Sequence, residues 1–227
     1  MFYFTIKEKE SWLRAKEGNK KCCLHHDTIA FFHSEYYGGG AWKKPGTIEN
    51  MICTLKNDRS PYPTDNELER CEKMLKSILE EDLNIIDTLI KKSPNPFMSL
   101  VVCVVPRAKK ENYYQPNQKL FRNAVRSILS NNYFGNLIDG TDNIIRHTNT
   151  MTTHSSKSGN GGDGEPPYCG ITKETCNITN VQGKNILLID DVYTKSIGID
   201  EDAIQALYDN GANKVFFYSI GKTIMRY

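Results

Sequence analysis

The sequence lacks any apolar run long enough to anchor it in a membrane. No stretch of its 227 residues reaches the roughly 18 consecutive apolar residues that a bilayer-spanning helix needs. The first ten residues mix charged with apolar side chains, and therefore lack the basic, then apolar, then small-residue order of a secretory signal. We expect a cytoplasmic protein with no membrane partner.

The chain also has little net charge. Its 29 Lys and Arg residues nearly balance 27 Asp and Glu residues, for a formal net charge of +2. Bulk electrostatics therefore do not require a nucleic-acid partner. Hydrophobic residues make up 39% and charged residues 25% of the chain, as in ordinary globular proteins, which excludes a disordered, collagen-like or coiled-coil chain.

The seven cysteines lack the pattern of a disulfide framework or of a zinc finger. Their number is odd and no C-x-x-C pair occurs, which favours reduced thiols. The tightest cluster, Cys22 and Cys23 with His25 and His26, is too crowded to close one tetrahedral site. We therefore predict no structural zinc.

A long helix is the first positive signal. Thr64 and Glu67 have the spacing of a capping box, in which each side chain satisfies a main-chain amide at a helix start. Apolar residues then recur every three or four positions up to Ser93, which predicts a helix with one buried face and a break near Asp82.

This helix divides the chain into two predicted parts. Residues 1–63 contain aromatic clusters and a β-like run at 51–55, and we predict that they form an N-terminal extension or hood. Residues 64–227 are predicted to form an α/β domain.

The second part has the pattern of a parallel sheet. Continuous apolar runs at 100–105, 185–189 and 215–219 are typical of strands that are covered on both faces. Helices are predicted at 117–129 and 199–210, and a strand, helix and strand in this order imply parallel pairing. Residues 148–167 are rich in glycine and poor in apolar residues, so we expect a long loop that is either functional or disordered.

Two acids follow the second of these strands. In open α/β sheets, ligands bind at the carboxyl ends of the strands, and Asp190 and Asp191 lie there. The helix that begins near residue 199 presents free amides, which attract phosphate. Paired acids can accept hydrogen bonds from ribose hydroxyls or help to hold hydrated Mg²⁺. The alternative is that the two acids form a polar strand end that caps the next helix.

The stretch 186–212 resembles the type I phosphoribosyltransferases, whose fingerprint is four apolar residues, two acids and a loop that grips the 5′-phosphate of phosphoribosyl pyrophosphate (PRPP). The most similar members are of the ComF type. An apolar segment ending in Lys56, a Val-Pro pair before Arg107, and Asn117 with Gln118 resemble further features of that family.

The resemblance implies a Rossmann-like parallel-sheet core that binds Mg²⁺-PRPP. It assigns catalysis to Asp190 and Asp191, which would also hold Mg²⁺ indirectly. It assigns PRPP binding to two sets of residues, the loop after the acids and three basic residues elsewhere: Thr194, Lys195, Ser196, Ile197 and Gly198, and Lys56, Arg107 and Lys109.

The loop departs from the family's usual Thr-Thr-Gly-Ala-Thr, since Lys195 takes the second place, Ser196 the place of glycine and Gly198 the last place. We therefore expect phosphate binding with slow catalysis or an unusual acceptor. Two function classes stay open: a phosphoribosyltransferase, or a non-catalytic PRPP- or nucleotide-binding module that regulates or partners another macromolecule, for instance in DNA uptake or defence. A homodimer and a nucleic-acid or protein partner also stay open.

Overall fold

A computed structural model describes residues 1–15, 18–58, 60–92, 99–131, 134–152, 170–195 and 197–224, without the side chains of residues 9–23. Some residues named in the sequence analysis therefore lie outside the described part of the chain. They include Ser93, Ser196, residues 153–167 of the glycine-rich segment, and the side chains of Cys22 and Cys23.

The described residues form ten strands, four α-helices and three short 3-10 helices. The strands are β1 (Phe2–Ile6), β2 (Lys9–Ala15), β3 (Gly18–Leu24), β4 (Thr28–Tyr36), β5 (Leu100–Val104), β6 (Leu137–Asp139), β7 (Ile144–Arg146), β8 (Cys176–Ile178), β9 (Asn185–Tyr193) and β10 (Lys214–Thr223). The α-helices are α1 (Ile48–Lys56), α2 (Asp65–Lys91), α3 (Leu120–Ser130) and α4 (Ile199–Asp209), and short 3-10 helices lie at Gly39–Lys43, Glu111–Tyr113 and Pro116–Gln118.

The central sheet has six strands in the order β1-β4-β10-β9-β5-β6. All neighbours pair in parallel except β1, which is antiparallel to β4 at one edge. Two separate two-stranded sheets, β2–β3 and β7–β8, are antiparallel. The prediction of an α/β fold with a mostly parallel sheet is confirmed, and the arrangement is compatible with a Rossmann-like fold.

The sheet is covered on both faces, because successive side chains of a strand point to opposite sides. On β5, Leu100, Val102 and Val104 pack with apolar residues of α1, α2 and α3. Val101 and Cys103 pack with residues of α4 and of the β7–β8 sheet on the opposite face. Burial on both faces explains why the strand reads as a continuous apolar run.

The prediction of a β-like run at 51–55 is wrong, because these residues belong to α1. Thr47 begins the helix, and its Oγ1 accepts a hydrogen bond from the main-chain N–H of Asn50 at 3.1 Å. Met51, Ile52 and Leu55 are buried on one face, as expected for helical spacing. A five-residue apolar run is compatible with either structure, and contact with α2 and α3 decides in favour of the helix.

The capping box at the start of α2 is confirmed, whereas the predicted break near Asp82 is wrong. Thr64 Oγ1 accepts from Glu67 N at 3.3 Å, and the Glu67 carboxylate accepts from Thr64 N at 2.8 Å. The helix passes through Asp82 because this buried carboxylate has partners in the sheet. Its Oδ2 accepts from the Tyr218 hydroxyl at 2.8 Å and lies 3.0 Å from Nδ1 of His33.

Residues 1–63 contribute directly to the central sheet. β4 pairs in parallel with β10, and β1 extends the sheet beyond β4. The division at residue 63 stays a prediction. Within the described part of the chain, none of the helices combines the length and the apolar character needed to cross a bilayer.

Candidate functional site

The site lies where two neighbouring strands of the sheet separate. β5 and β9 pair as far as Val104 and Ile189, and β9 then continues along β10 through Asp190. The chain leaves β5 through α3 toward β6 on one side, and leaves β9 through α4 toward β10 on the other. Such a switch point is where open α/β sheets bind ligands. Asp190 and Asp191 lie there, as the sequence predicts.

Lys56, the last residue of α1, contacts this acid pair. Its Nζ lies 2.8 Å from Oδ2 of Asp191, and the two side chains are 29% and 17% exposed. Burial by itself would lower the pKa of Lys56, but the negative charges of Asp191 and Asp190 and the hydrogen bond to Asp191 raise it overall. Lys56 is therefore a cation at neutral pH, held on the acids in a partly accessible position.

Asp190 pairs with Asp200, an acid that sequence reasoning did not assign to the site. The two carboxyls are hydrogen-bonded to each other, and Oδ1 of Asp190 also accepts from the main-chain N–H of Asp191 at 2.8 Å. Burial and the charge of Asp191 raise the pKa of Asp190 to about 7, although the hydrogen bond to Asp200 and the charge of Lys56 oppose the rise. Burial and the charge of Asp190 raise the pKa of Asp200 well above its usual range. The two carboxyls therefore share a proton near neutral pH.

The next two acids of α4 are directed toward protein partners. Oε1 of Glu201 accepts from the Tyr193 hydroxyl at 3.0 Å, and Oδ2 of Asp202 accepts from the main-chain N–H of Gly170 at 3.1 Å. Both acids are buried. Their negative charge is thus partly offset by donors on the side of the helix facing Tyr193 and Gly170.

The loop between β9 and α4 is a tight turn. The main-chain N–H of Ile197 donates to the carbonyl of Thr194 at 2.9 Å, and the Thr194 hydroxyl lies 2.7 Å from that of Thr223. Lys195 is exposed. Gly198 has φ of 82°, in the left-handed region that glycine adopts readily, and precedes the first turn of α4. The loop therefore lies at the positive end of the helix, where an anion is favoured.

Arg107 lies in the loop after β5, and its partly exposed guanidinium is paired with protein oxygens. Its Nη1 donates to the main-chain carbonyls of Lys56 at 3.0 Å and Gln118 at 2.8 Å. Its Nη2 forms an ion pair with Asp58. Arg107 therefore reaches the site through the backbone of Lys56.

The same loop is held from its other side by Arg146, which sequence reasoning missed. Arg146 is buried, and it donates to the carbonyl of Arg107 at 2.6 Å and to that of Gly170 at 2.8 Å. Lys109 follows in this loop, where its main-chain N–H donates to the Tyr114 hydroxyl at 2.9 Å. A single arginine at the end of a short strand offers no signal from which this role could be predicted.

Tyr36 and Cys53 are two further residues that sequence reasoning missed. The Tyr36 hydroxyl lies 3.9 Å from Sγ of Cys53. Burial raises the pKa of Cys53, so that it remains a thiol at neutral pH. Glu49, Cys53 and Lys56 are spaced four and three residues apart, which puts them on one face of α1. This spacing could have associated Cys53 with Lys56, but only once residues 51–55 are known to be helical.

The acid pair fits a hydrated Mg²⁺ better than a metal ion enclosed by protein. Within the described residues, no group of three or more His, Cys, Asp or Glu side chains could hold a metal ion. Mg²⁺ does not need such a cage, because it keeps several waters and is held by one or two carboxylates together with a ligand's phosphates. Asp191, partly exposed, with Asp190 beside it, supplies this donor set.

Comparison with known proteins does not identify the chain. No protein-family model matches the sequence, and no curated protein matches it.

Proposed function

We propose that the protein binds Mg²⁺-PRPP or a related ribose 5-phosphate compound at the switch point between β5 and β9, and that it is a phosphoribosyltransferase of the ComF type. The observation that carries the proposal is the acid pair Asp190-Asp191 at this point, with the ammonium of Lys56 on Asp191. The acids would accept hydrogen bonds from the ribose hydroxyls. The loop from Thr194 to Gly198 would receive the 5′-phosphate.

In the transferase reaction, a nucleophile attacks C1 of the ribose and the bond from C1 to pyrophosphate breaks. Positive charge develops on the ribose ring in the transition state, and the carboxylates of Asp190 and Asp191 stabilise it through their negative charge. Lys56 and Lys109 supply positive charge for the departing pyrophosphate. Asp190 and Asp191 would hold Mg²⁺ through water, and the ion would supply further charge neutralisation for the phosphates.

A non-catalytic PRPP- or nucleotide-binding module is the second candidate. The observation that favours it is the pairing of Arg107, whose two Nη atoms already contact protein oxygens of Lys56, Gln118 and Asp58. A site with one cation fewer would still bind the ligand but would stabilise departing pyrophosphate less well. Measuring pyrophosphate release from PRPP across a panel of bases and amines distinguishes the two, because a binding module releases none.

Calorimetric titration with Mg²⁺-PRPP tests the binding site itself. Loss of a hydrogen bond to a charged group is worth about 1.5–3 kcal/mol, so Asp191→Asn is expected to weaken binding about tenfold or more. Asp209→Asn is the matched control, because Asp209 is an exposed acid at the far end of α4. Unchanged affinity in both Asp190→Asn and Asp191→Asn would overturn the assignment.

A further inference from the structure

The C-terminal end of α1 is held by side chains that belong to distant parts of the chain. Asn57, which follows Lys56, is left-handed with φ of 48°, and its main-chain N–H donates to the carbonyl of Cys53. The last carbonyls of a helix have no partner within it. Here the carbonyl of Lys56 accepts from Arg107 at 3.0 Å, and the carbonyl of Asn57 accepts from Nε2 of Gln118 at 2.8 Å.

Arg107 and Gln118 are also joined to each other. Nη1 of Arg107 donates to the main-chain carbonyl of Gln118 at 2.8 Å, and Oε1 of Gln118 accepts from the main-chain N–H of Gln115 at 3.0 Å. The guanidinium lies over the ring of Tyr114, with 4.2 Å between its Cζ and the ring centroid. Stacking on one face and hydrogen bonds at the edge fix the plane of the guanidinium.

We propose that Arg107 and Gln118 are positioning residues that hold the end of α1, and thereby place the ammonium of Lys56 on Asp191. Lys56 is the residue at which these contacts meet, since its carbonyl accepts from Arg107 while its Nζ reaches Asp191 at 2.8 Å. The idea that Lys56, placed in this way, helps to bind a phosphorylated ligand rests on the proposed function. The contact between Lys56 and Asp191 does not depend on that function.

Holding the end of α1 in this way requires the planar guanidinium of Arg107 and not simply a positive charge. One planar group reaches two carbonyl oxygens and the carboxylate of Asp58 at once. An ammonium is a compact point charge on a flexible stem and cannot reproduce this planar geometry. Arg107→Lys should therefore behave like a variant in which these contacts are lost.

Competitive acylation of lysines, read for each residue by mass spectrometry on the ligand-free protein, tests the placement. Lys73 is the internal reference, because its side chain is 74% exposed and far more open than that of Lys56. In the wild type, we expect Lys56 to be labelled much more slowly than Lys73. In Arg107→Met and Arg107→Lys, we expect the labelling of Lys56 to rise about fivefold or more, and in Gln118→Ala by less, since fewer hydrogen bonds are lost.

Arg126→Met is the matched control, because Arg126 also forms an ion pair and a hydrogen bond, with Asp142 and Thr141, but does not contact α1. In Arg126→Met, the labelling of Lys56 should equal that in the wild type. In the Asp191→Asn background, Lys56 should already be labelled rapidly, and Arg107→Met should add little. A purely structural role would instead raise the labelling of many lysines together.

The proposal would be overturned if Lys56 were labelled as slowly as in the wild type in folded Arg107→Met, Arg107→Lys or Gln118→Ala. If the two arginine variants fail to fold, the result for Gln118→Ala decides. A parallel titration of the wild type with Mg²⁺-PRPP separates the two ideas. Absence of binding there would refute the proposed function and leave the labelling result to decide the role of Arg107.

Discussion

The paired carboxyls of Asp190 and Asp200 should make the stability of the ligand-free protein fall as pH rises. A carboxyl whose pKa is raised on folding keeps its proton in the native state at pH values where the unfolded chain has lost it. The native state then binds more protons than the unfolded state, and the free energy of unfolding decreases with rising pH. This contribution to the free energy of unfolding is fully present below the pKa that the carboxyl has in the unfolded chain. It is lost as pH rises through the pKa that the carboxyl has in the folded protein.

The size of the effect follows from the pKa of Asp190, which is about 7 in place of the usual 3.8. A displacement of this size corresponds to up to about 4 kcal/mol of unfolding free energy, lost between about pH 4 and pH 7. Asp200→Asn preserves the shape of the side chain, removes one of the two titrating groups and supplies an amide donor to Asp190. The pKa of Asp200 is itself raised well above its usual range, so the variant lacks the loss of stability that the ionisation of Asp200 causes. We therefore expect it to lose less stability than the wild type over the same interval.

Urea unfolding of the wild type and of Asp200→Asn, at about pH 4.5 and about pH 8 without Mg²⁺ or ligand, measures this difference. Asp209→Asn, on the exposed side of the same helix, should follow the wild type. Equal losses of stability in the wild type and Asp200→Asn would show that the two carboxyls do not share a proton, and would refute the reasoning about this pair.

Two further predictions concern the stability of the fold, and thermal or urea unfolding checks both. Thr64→Ala removes the capping box of α2 and should cost about 1 kcal/mol, whereas Thr88→Ala, on the exposed face of the same helix, should cost little. Gly140→Ala should cost about 1–3 kcal/mol, because the new Cβ would overlap Cγ1 of Val101. Gly135→Ala is its control, since its nearest neighbour would be 3.9 Å away, and equal stability of the two alanine variants would contradict the packing argument.

The strands that carry the site could be predicted because the signals for them are local. The apolar runs at 100–105 and 185–189 correspond to β5 and β9, with the difference that β9 continues through Asp190 and Asp191 to Tyr193. Two charged residues at the end of an apolar run suggest that the strand has ended. Pairing with β10 keeps them in the sheet, and a contact with a distant strand has no signature in the run itself.

The partners of the two acids depend on contacts between distant segments. Lys56 reaches Asp191 only because residues 51–55 are helical and because Arg107 and Gln118 hold the end of that helix. The sequence places Arg107 after β5 but does not determine which groups its guanidinium contacts.

The sequence by itself therefore determined the parallel sheet, the capped helix α2 and the position of the acids at a strand end, because periodicity, capping and strand burial are expressed within a few consecutive residues. Only the tertiary structure decided that Asp190 pairs with Asp200, that Lys56 lies on Asp191 and that the guanidinium of Arg107 is paired with protein oxygens. Those outcomes depend on desolvation and on the competition among partners from several elements, and both arise only when the sheet and its helices pack together.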